Sequence, residues 1–207
     1  MNIIDLFSQN KLIQSWHAGV SNLGRQLIMG LSGASRALAI ASAYQANEEK
    51  IVIITSTQNE VEKLASDLSS LIGEDKVYTF FADDVAAAEF IFASMDKAHS
   101  RLEALNFLQD KNQSGILITS LVGARVLLPS PKTYSESQLN FLVGDLYNLD
   151  KIVKILSNVG YQKVSQVLNP GEFSRRGDIV DIYEITADYP YRLEFFGDEV
   201  DGIRQFD

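Results

Sequence analysis

The segment from Gly30 to Ala37 follows a short apolar run and precedes a helix-forming stretch, as a phosphate-binding loop does. A working loop of the form G-x-x-x-x-G-K-[ST] holds phosphates with backbone N–H groups and a lysine, and holds Mg²⁺ with a hydroxyl. Here Ser35 replaces the second glycine, Arg36 the lysine and Ala37 the hydroxyl residue. Alanine cannot ligate magnesium, and the β-carbon of Ser35 crowds a close approach of phosphate to the backbone. The sequence therefore predicts a degenerate loop without a nucleotide or metal cofactor.

Two interpretations of this degenerate loop stay open. Gly30 and Gly33 fit a plain turn between a strand and a helix, in which the loop has no ligand. Alternatively, the helix that begins after the loop retains some anion binding through the free N–H groups of its first turn.

Alternating strands and helices predict an α/β domain around the loop, with a parallel sheet flanked by helices. Four consecutive β-branched residues, Ile51 to Ile54, indicate a strand covered on both faces. Thr55, Ser56 and Thr57 supply N-cap chemistry for a helix that Gly73 ends. The other predicted strands are 26–29, 77–81 and 116–118, and the other predicted helices are 37–46 and 95–108.

The pattern changes at Pro129 and Pro131, where residues 128–137 have the composition of a linker. Beyond it we expect a small α+β domain with antiparallel strands, so the predicted domains are 1–131 and 132–207. Its predicted elements are strands at 139–143, 164–168, 178–185 and 191–196 and a helix at 149–156.

Composition excludes several classes of protein. The 207 residues carry 18 basic and 27 acidic side chains, a net charge of −9. This balance argues against a broad positive surface that binds the nucleic-acid backbone. Cysteine is absent, which excludes disulfides, thiolate metal sites and a cysteine nucleophile. The N-terminus has no basic stretch followed by an apolar core, and no apolar run approaches the ~18 residues of a membrane span. We therefore expect a cytoplasmic protein without a membrane partner.

Two runs in the second domain carry a resemblance to a known family. Gly171–Tyr183 and Tyr191–Glu199 are similar to the second domain of the repair excinuclease protein UvrB. UvrB has an intact phosphate loop and a tyrosine-rich DNA-clamping hairpin, whereas here Phe80–Asp84 continues to Phe92 without such an insertion. The degenerate loop, the missing hairpin and the retained second domain together resemble the N-terminal module of bacterial transcription-repair coupling factors.

The resemblance implies a function for the whole protein and a narrower one for this chain. Members of that family are ATP-driven translocases on double-stranded DNA that displace a stalled RNA polymerase and recruit the excinuclease. The motor, which uses ATP and Mg²⁺, and the polymerase-binding domain would lie beyond residue 207. This chain would be a non-catalytic adaptor that recruits the excinuclease protein UvrA, and the first domain could mask the binding patch in the full-length protein. The alternative is a nucleotide-dependent domain that binds damaged DNA as UvrB does.

Strand periodicity supports an interaction patch on the second domain. In a strand, Arg192, Glu194 and Phe196 share one side, while Leu193 and Phe195 can enter the core on the other. Arginine and large aromatic residues are enriched at interface hot spots. The candidate partner-binding residues are Arg175, Arg176, Arg192, Glu194 and Phe196. For Arg176, Arg192 and Phe196, the resemblance implies contacts with UvrA. In the other interpretation, Phe196 only closes a hairpin and the arginines form surface ion pairs.

Overall fold

The computed structural model describes residues 2–20, 24–82 and 93–207. They divide into two compact units: the first holds the described residues of Met1–Phe90 with Ser100–Leu127, and the second holds those of Ile91–His99 with Leu128–Asp207. The domain boundary at residues 131 and 132 stays a prediction. The helices are α1 (Ile3–Ser8), α2 (Lys11–Val20), α3 (Ala34–Asn47), α4 (Gln58–Ile72), α5 (Ala93–Gln109), α6 (Pro131–Ser137) and α7 (Leu149–Asn158). The strands are β1 (Lys50–Thr55), β2 (Val77–Phe80), β3 (Gly115–Ser120), β4 (Gln162–Lys163), β5 (Glu172–Arg176), β6 (Ile179–Ile182), β7 (Tyr191–Phe196) and β8 (Glu199–Gln205).

The first unit contains a parallel sheet with the strand order β1-β3-β2. Ile116 and Ile118 of β3 are buried on one face, in a core shared with α1, α3 and α4. Leu117, between them, points to the other face and packs with Ala104 and Phe107 of α5. The predicted class, a parallel sheet flanked by helices, is confirmed for this unit.

Strand β1 departs from the expectation that it is covered on both faces. Ile51 and Ile53 pack against the core, but Val52 and Ile54 are 54% and 53% exposed. The expectation was wrong because β1 lies at an edge of the sheet, and the α5 side chains pack over β2 and β3. Four β-branched residues in a row therefore indicated the strand correctly but not its position in the sheet.

The strand predicted at 26–29 was also wrong. These residues have no regular secondary structure, and Leu27 and Met29 are 85% and 82% exposed. An apolar run forms a strand only where a neighbouring strand exchanges backbone hydrogen bonds with it. Among the described residues, β1 pairs with β3, and neither pairs with 26–29.

The second unit contains a five-stranded sheet with the order β4-β5-β6-β7-β8. Strands β5 to β8 form an antiparallel meander, and β4 runs parallel to β5. Helix α7 packs on one side of the sheet, where Leu149, Ile152 and Leu156 meet Leu193 and Phe195 in a buried core. The predicted small α+β domain with antiparallel strands is confirmed.

The predicted linker at 128–137 contains a helix. Ser130 caps α6 by accepting a hydrogen bond from the backbone N–H of Thr133 at 3.1 Å, and Pro131 begins the helix. Proline at the first helical position costs no hydrogen bond, because the N–H that it lacks would have no partner in the helix. The two prolines therefore indicated a change of structure but not its kind.

Two strands predicted in the second unit were wrong, those at 139–143 and 164–168. Both segments are irregular, and the strand near the second is β4, two residues long. In the first segment, Leu139 and Phe141 pack against the buried core without pairing in the sheet. Apolar side chains can be buried by a loop lying on a core as well as by a strand.

Two further expectations concern features of the whole chain. Residues 83–92, where the DNA-clamping hairpin was expected to be missing, lie outside the described residues. No helix in the described ranges has both the length and the apolar character to cross a bilayer.

Candidate partner-binding site

Strand β7 places three of the predicted contact residues on one side of the second sheet. Arg192, Glu194 and Phe196 alternate with Leu193 and Phe195 along the strand. Leu193 and Phe195 are buried on the side that faces α7, whereas the Phe196 side chain is 83% exposed. A large aromatic ring at the surface of a folded domain is available for contact with a partner.

A buried carboxylate on β6 joins two arginines on the same side of the sheet. Asp181 lies opposite Arg192 in the register of β6 and β7 and is 2% exposed. It accepts hydrogen bonds from Nε and Nη2 of Arg192 at 2.6 and 2.9 Å, and from Nη2 of Arg176 on β5 at 2.7 Å. Two guanidinium groups around one carboxylate leave one net positive charge. We call the surface of Arg176, Asp181, Arg192, Glu194 and Phe196 the outer face.

The charges at the centre of the outer face are fixed by these hydrogen bonds. Burial raises the pKa of Asp181, but the hydrogen bonds and charges of Arg192 and Arg176 outweigh it, and the pKa lies below its usual range. The hydrogen bond to Asp181 in turn raises the pKa of Arg192. Asp181 and Arg192 therefore both remain charged at neutral pH.

The two arginines differ in how far they reach solvent. The side chain of Arg176 is 57% exposed and that of Arg192 is 22% exposed. The guanidinium of Arg192 lies over the ring of Phe206, 4.8 Å from its centroid, a favourable cation–π geometry. Glu194 forms an ion pair with Arg204 at 2.8 Å. The outer face thus combines held cations with an exposed aromatic ring on one surface.

Arg175 does not join this cluster. Neighbouring residues of a strand point to opposite sides, so Arg175 lies on the α7 side of the sheet and Arg176 on the outer face. Nη1 of Arg175 donates to Oδ1 of Asp150 on α7. The structure therefore brings Arg176 and Arg192 together but not Arg175, whose predicted contact with a partner stays a prediction.

The degenerate phosphate loop closes on itself in front of α3. The Ser35 hydroxyl donates to the carbonyl of Ser32 at 2.7 Å and accepts from the N–H of the same residue at 2.9 Å. Gly30 and Gly33 supply the turn with positive φ angles of 85° and 53°. Ala37, in the place of the magnesium ligand, is 1% exposed and packs in the core. The loop and its helix thus use Ser35 and Ala37 for local structure.

A cavity of about 230 Å³ beside this loop has charges of both signs in its lining. Nη2 of Arg36 lies 3.9 Å from Oε1 of Glu60. The hydroxyl of Ser56 donates to Glu60 at 2.6 Å and, with the backbone N–H of Ser56, lowers the pKa of that carboxyl. A carboxylate that stays ionised beside Arg36 repels phosphate. Across the described ranges, no cluster of three or more His, Asp or Glu side chains could hold a metal ion.

Comparison with known proteins identifies the second unit. Residues 139–207 match the family model of the UvrB interaction domain. The match includes β5, β6 and β7, which carry the outer face, and the helix α7 that packs behind them.

Most of the chain is similar to curated transcription-repair-coupling factors. It is 32% identical over 195 residues to that of Bacillus subtilis (strain 168), a match that covers 94% of this chain and 16% of the relative. It is 33% identical over 181 residues to that of Staphylococcus haemolyticus (strain JCSC1435), covering 87% of this chain and 15% of the relative. The chain therefore spans about one sixth of the length of these relatives. The predicted resemblance to transcription-repair coupling factors is confirmed.

Two residues of the UvrB interaction domain were missed by the sequence reasoning. Asp181, between two buried apolar residues of β6, gave one signal, a carboxylate inside an otherwise apolar strand. Leu146 is 74% exposed and forms a bridge with Glu199, which also pairs with Phe196. Residues opposite each other in antiparallel strands point to the same side, so Leu146 and Phe196 flank Glu199. No periodicity indicated Leu146, because it lies in an irregular segment.

Proposed function

We propose that this chain is a non-catalytic adaptor module of a transcription-repair-coupling factor and that its UvrB interaction domain recruits the excinuclease protein UvrA. The observation that supports the proposal is the outer face, where Asp181 ties two arginines together on the same side of the sheet as the exposed Phe196. Guanidinium groups recognise carboxylates through two parallel hydrogen bonds, and buried aromatic rings anchor interfaces. The partner surface that fits is therefore acidic, with an apolar recess for Phe196.

The proposal for the whole protein is an ATP-dependent DNA translocase that displaces a stalled RNA polymerase. It is supported by the similarity to curated transcription-repair-coupling factors, of which this chain spans about one sixth. In this proposal ATP, Mg²⁺, DNA and RNA polymerase are bound by regions outside these 207 residues. The UvrB interaction domain then supplies the link to the repair machinery.

The first unit, in this proposal, is a scaffold that does not bind nucleotide. Three observations support it: the Ser35 hydroxyl closes the turn, Ala37 is buried, and the Glu60 carboxylate lies beside Arg36. Isothermal titration of the chain with Mg-ATP tests it, and we expect no binding tighter than about 1 mM. Tighter binding would favour the other candidate function, a nucleotide-dependent domain that binds damaged DNA.

The decisive experiment is titration of the 207-residue chain with purified UvrA. Arg176→Ala, Arg192→Ala and Phe196→Ala should each weaken binding by about 1 kcal/mol or more, the usual magnitude for hot-spot residues. Lys154→Ala is the matched control, since it removes an exposed cation from α7 on the opposite side of the same sheet. If a folded triple variant still binds UvrA as tightly as the unmodified chain, the outer face is not the binding site.

A further inference from the structure

We propose that Asp181 is a positioning residue for partner binding, which holds the guanidinium groups of Arg176 and Arg192 in the orientation that the partner meets. The inference rests on the proposed function, because it assigns a role within the same outer face. Asp181 itself is 2% exposed, so it does not supply the contact. It acts through the two arginines.

The Asp181 carboxylate sets both the position and the orientation of the Arg192 guanidinium. Oδ1 accepts from Nε of Arg192, and Oδ2 accepts from Nη2 of the same side chain, at 2.6 and 2.9 Å. Such a two-point contact between a guanidinium and a carboxylate sets the plane of the guanidinium as well as its position. Stacking over Phe206 covers one face of the plane, so Arg192 presents its remaining edge in one direction.

The same carboxylate connects two strands that are not neighbours in the sheet. Oδ2 also accepts from Nη2 of Arg176 at 2.7 Å, so Asp181 on β6 bridges an arginine of β5 and one of β7. Two guanidinium groups this close repel each other unless a negative charge lies between them. The carboxylate therefore allows both cations to occupy one small surface.

The Asp181 side chain is buried on the outer face of the sheet and not in the core on the α7 side. Its neighbours in the strand, Val180 and Ile182, are buried in the core on the α7 side, so Asp181 points the other way. The Arg176 side chain bonded to it is 57% exposed. The buried carboxylate therefore holds a guanidinium side chain that is itself accessible to a partner.

A measurement on the unmodified chain tests the geometry directly. In ¹⁵N relaxation experiments, the Nε–H of Arg192 should be as ordered as the backbone amides of β7. The Nε–H of Arg125, an exposed arginine of the first unit, serves as the mobile reference. If the Arg192 group is as mobile as that of Arg125, Asp181 does not hold it and the inference is wrong.

A substitution tests the consequence for binding. Asp181→Asn keeps the shape and removes the charge, and it should weaken binding to UvrA at least about tenfold. Asp201→Asn, which removes an exposed carboxylate from β8 of the same sheet, should change the affinity by less than about twofold. Backbone amide spectra of both variants report whether the sheet is intact, and the relaxation measurement decides the question if the Asp181 variant does not fold.

A double-mutant cycle separates positioning from general stabilisation. If Asp181 acts through Arg192, Asp181→Asn should weaken binding clearly less in an Arg192→Ala background than in the unmodified chain. An equal loss in both backgrounds would contradict the inference. If Arg192→Ala and Arg176→Ala weaken binding but Asp181→Asn does not, the inference fails while the proposed function stands. If none of the three variants weakens binding, the outer face is not the binding site and the inference is wrong with it. If the unmodified chain does not bind UvrA, the proposed function is wrong.

Discussion

The carboxylate of Asp181 is a charge held almost out of contact with water, which is costly without compensation. Removing an ion from water costs several kcal/mol, and the cost is offset only by close partners with good geometry. Here two arginines provide three charge-assisted hydrogen bonds. Removing one partner would therefore be more harmful than the exposure of Arg176 suggests, since the buried carboxylate would lose part of its compensation.

Acidification should reveal the contribution of Asp181 to stability. Because the folded chain holds the pKa of Asp181 below its usual range, the carboxylate stabilises the fold above about pH 5, and this contribution is lost as pH falls through about 3.9 toward the folded pKa. Urea denaturation from pH 7 to pH 3 should show the unfolding free energy of the unmodified chain falling more steeply than that of Asp181→Asn. Parallel curves would show that Asp181 has no depressed pKa.

Arg175 and Arg176 are neighbours in sequence and should behave differently. Arg175→Ala loses the ion pair with Asp150 on the α7 side, at a cost of up to about 1 kcal/mol in unfolding free energy, because Asp150 is largely exposed. Its affinity for UvrA should stay within about twofold of the unmodified chain, whereas Arg176→Ala should lose about fivefold or more. Thermal denaturation and titration calorimetry measure the two effects. A strong binding loss in Arg175→Ala would restore it to the candidate contacts.

Single residues of the outer face were predictable to different degrees. Strand alternation alone indicated that Leu193 and Phe195 are buried while Phe196 is exposed. The link between Arg192 and Asp181 was not predictable, because the register of β6 against β7 decides it and the loop between them does not fix that register. Sequence reasoning therefore found the cations but not the group that holds them.

At the level of elements, the start of helix α4 places a carboxylate beside the degenerate phosphate loop. The Thr57 side chain caps the helix by accepting a hydrogen bond from the N–H of Glu60 at 3.3 Å. The Glu60 carboxylate in turn accepts one from the backbone N–H of Ser56 at 3.1 Å. This reciprocal bonding is typical of a helix start that satisfies its own N–H groups. Glu60 then lies beside Arg36, so the start of α4 and the start of α3 interact with each other.

Restoring the phosphate-loop residues should not restore nucleotide binding. The triple variant Ser35→Gly, Arg36→Lys and Ala37→Thr should still bind Mg-ATP no more tightly than about 1 mM, since Glu60 remains beside the loop. Threonine at the buried Ala37 should also lower the unfolding free energy by about 1–3 kcal/mol through overpacking. Thermal denaturation and calorimetry check both effects.

The double variant that keeps Ala37 is the control for this experiment. It should lose less unfolding free energy than the triple variant, because it gives up the two hydrogen bonds of the Ser35 hydroxyl but does not overpack the core at Ala37. Micromolar binding of Mg-ATP by the triple variant would show that the three side chains alone had disabled the loop.

Elements with strong periodicity were predicted well, and those that depend on distant partners were not. Helix α4 lies within the limits set by Thr57 and Gly73, because capping and apolar spacing are local properties. Two predictions were wrong, that of a strand at 26–29 and that of a β1 covered on both faces, because both properties depend on residues distant in sequence. Whether a strand forms, and which of its faces is buried, depends on neighbours that the local sequence does not reveal.

On the scale of the molecule, each of the two units has its own buried core. The second core is built from residues between Leu139 and Ile203, without contribution from the parallel sheet. The change from alternating strands and helices to a meander could be predicted from the sequence, since the long helical patterns stop after α7. A domain with its own core can fold independently.

A fragment of residues 128–207 omits residues 93–99 of the second unit but contains its whole buried core, and it should therefore fold and retain the outer face. We expect a single cooperative unfolding transition and an affinity for UvrA within about twofold of that of the full 207-residue chain. Circular dichroism and calorimetry provide the measurements, with Phe196→Ala in the fragment as the negative control. A fragment that folds but does not bind would show that the first unit takes part in recognition.

The tethering of both arginines through one carboxylate has a kinetic consequence for complex formation. A free arginine loses up to about 2 kcal/mol of rotamer entropy when a contact immobilises it. Here the side chain of Arg192 loses that freedom when the domain folds, before any encounter. A complex formed on such a rigid surface should dissociate slowly for its size, and loosening the tether should shorten its lifetime far more than it slows association.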